Sequence, residues 1–123
     1  MTRQEMLAGI DIKAGAVRSR YITTVPGQEA TYILKGAQAR RFLDSGFAGS
    51  PPNLVQAEAD ATGDTPKQAA VRILAEEEQW TGLAATIEKI RRSGKIAVTR
   101  AGSELEAETA FNQTISAFKQ MLP

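Results

Sequence analysis

The chain contains neither cysteine nor histidine. The first absence removes disulfide frameworks, thiolate nucleophiles and the usual zinc clusters. The second removes Ser-His-Asp and Cys-His catalysis, imidazole metal ligation and the ordinary switch near neutral pH. Aromatic residues are only 6% of 123, which favours a helical assembly with small side chains at its seams over a large core. Charge of one sign is also lacking: 15 basic and 14 acidic side chains leave a formal net charge of +1, too little to attract nucleic acid or an anionic membrane as a whole. No apolar run approaches the ~18 residues of a membrane span, and the opening MTRQEMLAGIDIK is interrupted by Glu5 and Asp11, unlike a secretory signal. There is no GxGxxG or Walker loop to cradle a phosphate. These absences point to a soluble protein made in the cytoplasm, non-enzymatic, with no cofactor, no metal site and no membrane contact.

What is present reads as helix. Apolar residues at Met6, Ile10, Ala14, Val17 and Tyr21 advance by steps of three and four and trace one face of a first helix. Pro26 and Gly27 then suit the central pair of a type II turn, proline fixing the first φ and glycine accepting the positive second. An extended alternative runs through Tyr21, Thr23 and Val25, which alternate with Ile22 and Thr24. A second helix opens at Gln28. It carries an inward stripe of Ala30, Ile33, Leu34 and Ala37 and a second stripe of Tyr32, Gly36, Ala39 and Leu43, so it is expected to pack between neighbours. Ser45-Gly46 ends it, and residues 47–53 read as a loop.

Leu54, Val55, Glu58 and Ala59 mark a short helix closed by Gly63. Thr65 and Gln68 form a capping box with Pro66 at the first helical position, the start of a long helix. Along it Trp80, Leu83, Ile87, Ile90, Gly94, Ala97 and Ala101 alternate by three and four as a heptad seam, with Gly94 and the alanines admitting close approach of another helix. Gly102-Ser103 offers a break, Ser103 and Glu106 a second capping box, and a last helix bears the stripe Leu105, Phe111, Ile115, Phe118 and Leu122. The expected fold is all-α: a helical hairpin or bundle in a single domain, 1–123, built on a long seam-bearing helix. The chain is expected to self-associate through Trp80, Leu83, Ile87, Ile90, Phe111, Ile115, Phe118 and Leu122, with 103–122 as a candidate oligomerisation element.

Candidate chemistry is sparse. Glu76, Glu77 and Glu78 are adjacent on a helix, so they point in different directions and read as a solvated face. Lys89, Arg91, Arg92, Lys95 and Arg100 make the one basic cluster able to follow a phosphate backbone, and Arg91, Arg92, Lys95 and Arg100 are its candidate nucleic-acid contacts. Glu88 and Arg92 at i,i+4 suggest the plainer alternative of a salt-bridged face, and no aromatic residue stands nearby for base stacking. Arg18, Arg20, Arg40 and Arg41 read as edges of apolar stripes. Trp80 reads as an anchor between helices and not as a ligand-stacking residue. A Ser-Lys pair of Lys35 with Ser19 or Ser45 has no spacing to support it.

Tyr21-Ile22-Thr23, Val25-Pro26-Gly27-Gln28, Ala30-Thr31-Tyr32 and Lys35, followed by Ala39 and Leu43, resemble a module of small phage and prophage proteins encoded near tail and tail-fibre genes. The resemblance continues through Ala57-Glu58-Ala59, Ala61-Thr62-Gly63, Thr65-Pro66, Trp80 and Ile87-Glu88-Lys89-Ile90-Arg91, and covers roughly 11–101. It departs at Gly36, where a glutamate would be expected after the lysine, and from Ser103 onward, where the group's tails are alanine-rich. The resemblance implies a structural or adaptor protein of the virion tail, partnered by its own copies and by other tail proteins, and assigns no residue a catalytic role. The alternatives are a tail-assembly chaperone absent from the mature particle and a small DNA-binding protein using the basic cluster.

Overall fold

The computed structural model describes residues 1–21 and 28–122. The fold is all-α: the described residues hold five helices and no strand. They are α1 (Arg3–Tyr21), α2 (Gln28–Asp44), α3 (Asn53–Thr62), α4 (Pro66–Arg100) and α5 (Glu104–Gln120). The Pro26-Gly27 turn and the extended alternative through Val25 lie outside the described residues. The chain divides into two compact units, one of Met1–Ile22 with Gly82–Pro123 and one of Thr23–Thr81, so that α4 contributes its two ends to different cores.

In the first unit, α1 buries Met6, Ile10, Ala14 and Val17, four of the five residues on the face read from the sequence. Tyr21, the fifth, stays partly exposed, its hydroxyl donating to the carbonyl of Met121. The helix starts earlier than its apolar face, because Thr2 and Glu5 form a capping box. The Glu5 amide donates to Thr2 Oγ1 at 3.1 Å and the Thr2 amide to Glu5 Oε1 at 3.3 Å. Ile87 and Val98 of α4 and Ala107 and Phe118 of α5 complete this core.

The break at Gly102-Ser103 is present. Ser103 Oγ accepts from the Glu106 amide at 3.1 Å, while Glu106 reaches back to the Gly102 amide at 2.8 Å. The α4 terminus before it is closed by Arg3, whose guanidinium donates to the carbonyls of Val98 at 2.9 Å and Thr99 at 3.3 Å. A cation there satisfies orphan carbonyls and meets the negative end of the helix dipole.

The second unit is built from Ala39 and Phe42 of α2, Val55 and Ala59 of α3, and Ala69, Ala70 and Ile73 of α4. The α2 terminus is a Schellman motif: the Phe47 amide donates to Phe42 O at 2.8 Å and the Gly46 amide to Leu43 O at 2.9 Å. Its hydrophobic contact is Phe42 against Phe47, edge to face with ring centroids 5.4 Å apart. Gly63 closes α3 at φ 79°, and Thr65 and Gln68 cap α4 reciprocally at 3.2 and 3.0 Å.

Two sequence expectations are corrected. The α2 stripe of Ala30, Ile33, Leu34 and Ala37 faces outward, with Ile33 73% and Leu34 56% exposed, and the packed face is Gly36, Ala39 and Phe42. Periodicity identifies stripes but not which one is covered, and the small Gly36 and Ala39 admit the closer neighbour. The α4 burial pattern also fails to trace a continuous heptad stripe. Ile87 and Gly94 are buried, Trp80, Leu83, Ile90 and Ala101 are half-buried, Ala97 is exposed, and Val98, outside the predicted seam, is fully buried.

Candidate functional site

The basic cluster lies on the second half of α4, opposite α1 of the same unit. There Asp11 stands between two cations: its Oδ1 accepts from Arg91 at 3.0 Å and its Oδ2 from Lys95 at 2.8 Å. Arg91 also pairs with Glu88, its own neighbour on α4, at 2.9 Å. The α4 carboxylate at 88 therefore engages Arg91 at i,i+3 and not Arg92 at i,i+4 as the sequence suggested. The hydrogen bond from Lys95, followed by that from Arg91, holds the Asp11 carboxyl below its ordinary range. Arg91 likewise holds Glu88 low, and Glu88 and then Asp11 raise the Arg91 guanidinium.

These pairs tie α1 to α4 and occupy half of the four proposed nucleic-acid contacts. The other two, Arg92 and Arg100, are exposed and make no ion pair among the described residues. With Leu7 of α1 and Lys95, Ile96 and Thr99 of α4 they line an open groove of about 310 Å³. Leu7 and Ile96 are the apolar part of its lining, and Arg92, Lys95 and Arg100 the charged part. Positions 92, 96 and 100 repeat every four residues, which puts them along one side of the helix.

The residues assigned to self-association are all buried or half-buried within the chain. Phe118 is fully buried and Phe111, Ile115 and Leu122 are half-buried within the chain. The ring of Phe111 packs over Gly9, where an added Cβ would lie 3.1 Å from Phe Cε1. Phe111, Phe118 and Leu122 belong to the core of their own unit. Trp80 and Leu83 are half-buried, Ile87 is in the core and Ile90 packs against it.

A second charged network braces the other unit. Glu58 of α3 accepts from Lys35 of α2 at 3.1 Å and from Arg72 of α4 at 3.4 Å, and Arg72 also pairs with Asp64. Hydrogen bonding to Asp64 raises the Arg72 guanidinium. Lys35 is thus committed to Glu58, while Ser45 Oγ donates to Phe42 O and Ser19 Oγ to Gly15 O, so each member of the Ser-Lys idea has another partner. Glu76, Glu77 and Glu78 are exposed, and no group of acidic side chains with metal-binding geometry occurs among the described residues. No described helix is long and apolar enough to cross a membrane.

Compared with protein-family models, with curated proteins and with solved structures, the chain matches none. Sequence reasoning missed the roles of Asp11 and Glu58, whose ion pairs join residues 80, 84 and 23 positions apart, and the place of Leu7 in the groove; no local spacing signals them.

Proposed function

We propose that this chain is a non-enzymatic structural or adaptor protein of a phage tail region, acting through helix-mediated contacts with its own copies and with other tail proteins. The phage assignment rests on the resemblance of the 11–101 module. The observation that carries the contact role is the outward stripe of α2. Ala30, Ile33, Leu34 and Ala37 recur at helical spacing, all exposed, on a helix whose opposite face is already packed. Exposed large apolar side chains grouped on one face mark interaction surfaces more often than single scattered ones do. DNA binding is less well supported, because Arg91 and Lys95 are neutralised by Asp11 and Glu88.

The test is a double variant, Ile33→Asp with Leu34→Asp. Both side chains are exposed, so circular dichroism and melting stay near wild type, whereas incorporation into tail assemblies falls sharply. Incorporation at the wild-type level, with the fold intact, refutes the role assigned to α2.

A further inference from the structure

The first unit carries two open features of opposite character. One is the groove between α1 and α4, lined by Leu7 and Ile96 together with Arg92 and Arg100. The other is the start of α5, where Leu105 is 73% exposed and Glu104 and Glu108 are exposed beside it. Glu104 and Glu108 are i,i+4 and stack one turn apart on the helix, with Leu105 adjacent to the first and i,i+3 from the second. Neither glutamate makes an ion pair among the described residues, and Leu105 is not part of the groove lining. Within one chain, then, an acidic apolar knob and a basic apolar groove both stand open.

We infer that the groove receives the Glu104-Leu105-Glu108 knob of a second copy of this chain. The match is of charge and of shape. Two unpaired guanidiniums rim the groove and two unpaired carboxylates flank the knob, and a groove of about 310 Å³ has room for a leucine side chain with its flanking stems. Buried apolar contact at the centre with opposite charges at the rim is the ordinary plan of a specific interface. Because knob and groove are different surfaces of the protomer, the contact is heterologous. Repeated from copy to copy it builds a ring or an open filament, not a closed two-fold dimer. The inference rests on the tail-assembly reading only for the expectation that copies associate.

The test uses the full chain in sedimentation equilibrium. Wild type shows an average mass that rises with concentration, and the rise is suppressed at high salt, where the Debye length shortens from ~10 Å at 0.1 M to ~3 Å at 1 M. Leu105→Asp abolishes the knob and Arg92→Glu with Arg100→Glu abolishes the groove. Each variant, shown to be folded by circular dichroism, stays at monomer mass. Mixed in equal amounts, the two variants form a one-to-one dimer, since one retains a groove and the other a knob, and assembly stops there. The inference is overturned if either folded variant associates like wild type or if the mixture stays monomeric. It is equally overturned if wild type is monomeric throughout while the groove substitutions abolish binding to a DNA duplex. A monomeric wild type found in purified particles ends this contact and leaves the tail reading standing; a self-associating chain absent from particles does the reverse.

Discussion

Replacement of Gly94 by alanine sets two physical effects against each other inside α4. In a helix interior, Gly→Ala gains ~1 kcal/mol from reduced backbone entropy and better propensity. At position 94, however, the new Cβ would sit 2.4 Å from both Cγ2 and Oγ1 of Thr114 on α5, and 2.9 Å from its Cβ. Rotation of Thr114 cannot remove the last contact, and its hydroxyl is already committed to the Ala110 carbonyl at 2.8 Å. Relief therefore requires α5 to shift, at the ~1–3 kcal/mol typical of overpacking, toward the upper end because backbone must move. The net result is a loss of about 1–2 kcal/mol. Gly82, in the same helix, has nothing within 4 Å of its would-be Cβ, so Gly82→Ala gains up to ~1 kcal/mol. Urea unfolding followed by far-ultraviolet circular dichroism measures both. For a unit of roughly sixty residues, ~1 kcal/mol moves Tm by roughly 4–8 °C, so the two alanines separate clearly and in opposite directions. If Gly94→Ala stabilises as Gly82→Ala does, α4 and α5 are not in the close contact described.

Further outcomes follow from the caps and the ion pairs. Arg3→Met keeps the aliphatic stem but leaves the Val98 and Thr99 carbonyls without their cation, and lowers stability by ~1–2 kcal/mol in the same unfolding assay. Asp11 has a folded-state pKa below its unfolded value of about 4, so its contribution is complete above that value and is lost as pH falls through the lower, folded value. Asp11→Asn removes this contribution, so stability measured from pH 5 downward falls less steeply in the variant than in wild type. Phe118→Ala, at a fully buried position, lowers stability by ~3–5 kcal/mol in the same unfolding assay.

The contrast between what the sequence displays and what it conceals follows the range of each interaction. The Thr65-Gln68 and Ser103-Glu106 boxes and the Gly63 cap were legible because their partners lie within four residues. The α1 face was legible because one stripe of that helix is apolar throughout. On α2 two stripes compete, and the choice between them depends on α3 and α4, which no local pattern contains. Gly36 illustrates this: a Cβ there would lie against the Glu77 carboxylate of α4, so its glycine marks the packed side, whereas the bulkier Ile33 and Leu34 gave the stronger hydrophobic signal. The basic cluster was visible as composition, but its division into paired Arg91 and Lys95 and open Arg92 and Arg100 is set by Asp11, far away in the chain.

The claim that this helical chain is a component of a phage tail is met most directly by quantitative mass spectrometry of purified phage particles. The expected result is the chain in the particle, in a fixed ratio to tail proteins and retained after high-salt washing. Its abundance in the infected-cell lysate together with its absence from purified particles would contradict that claim.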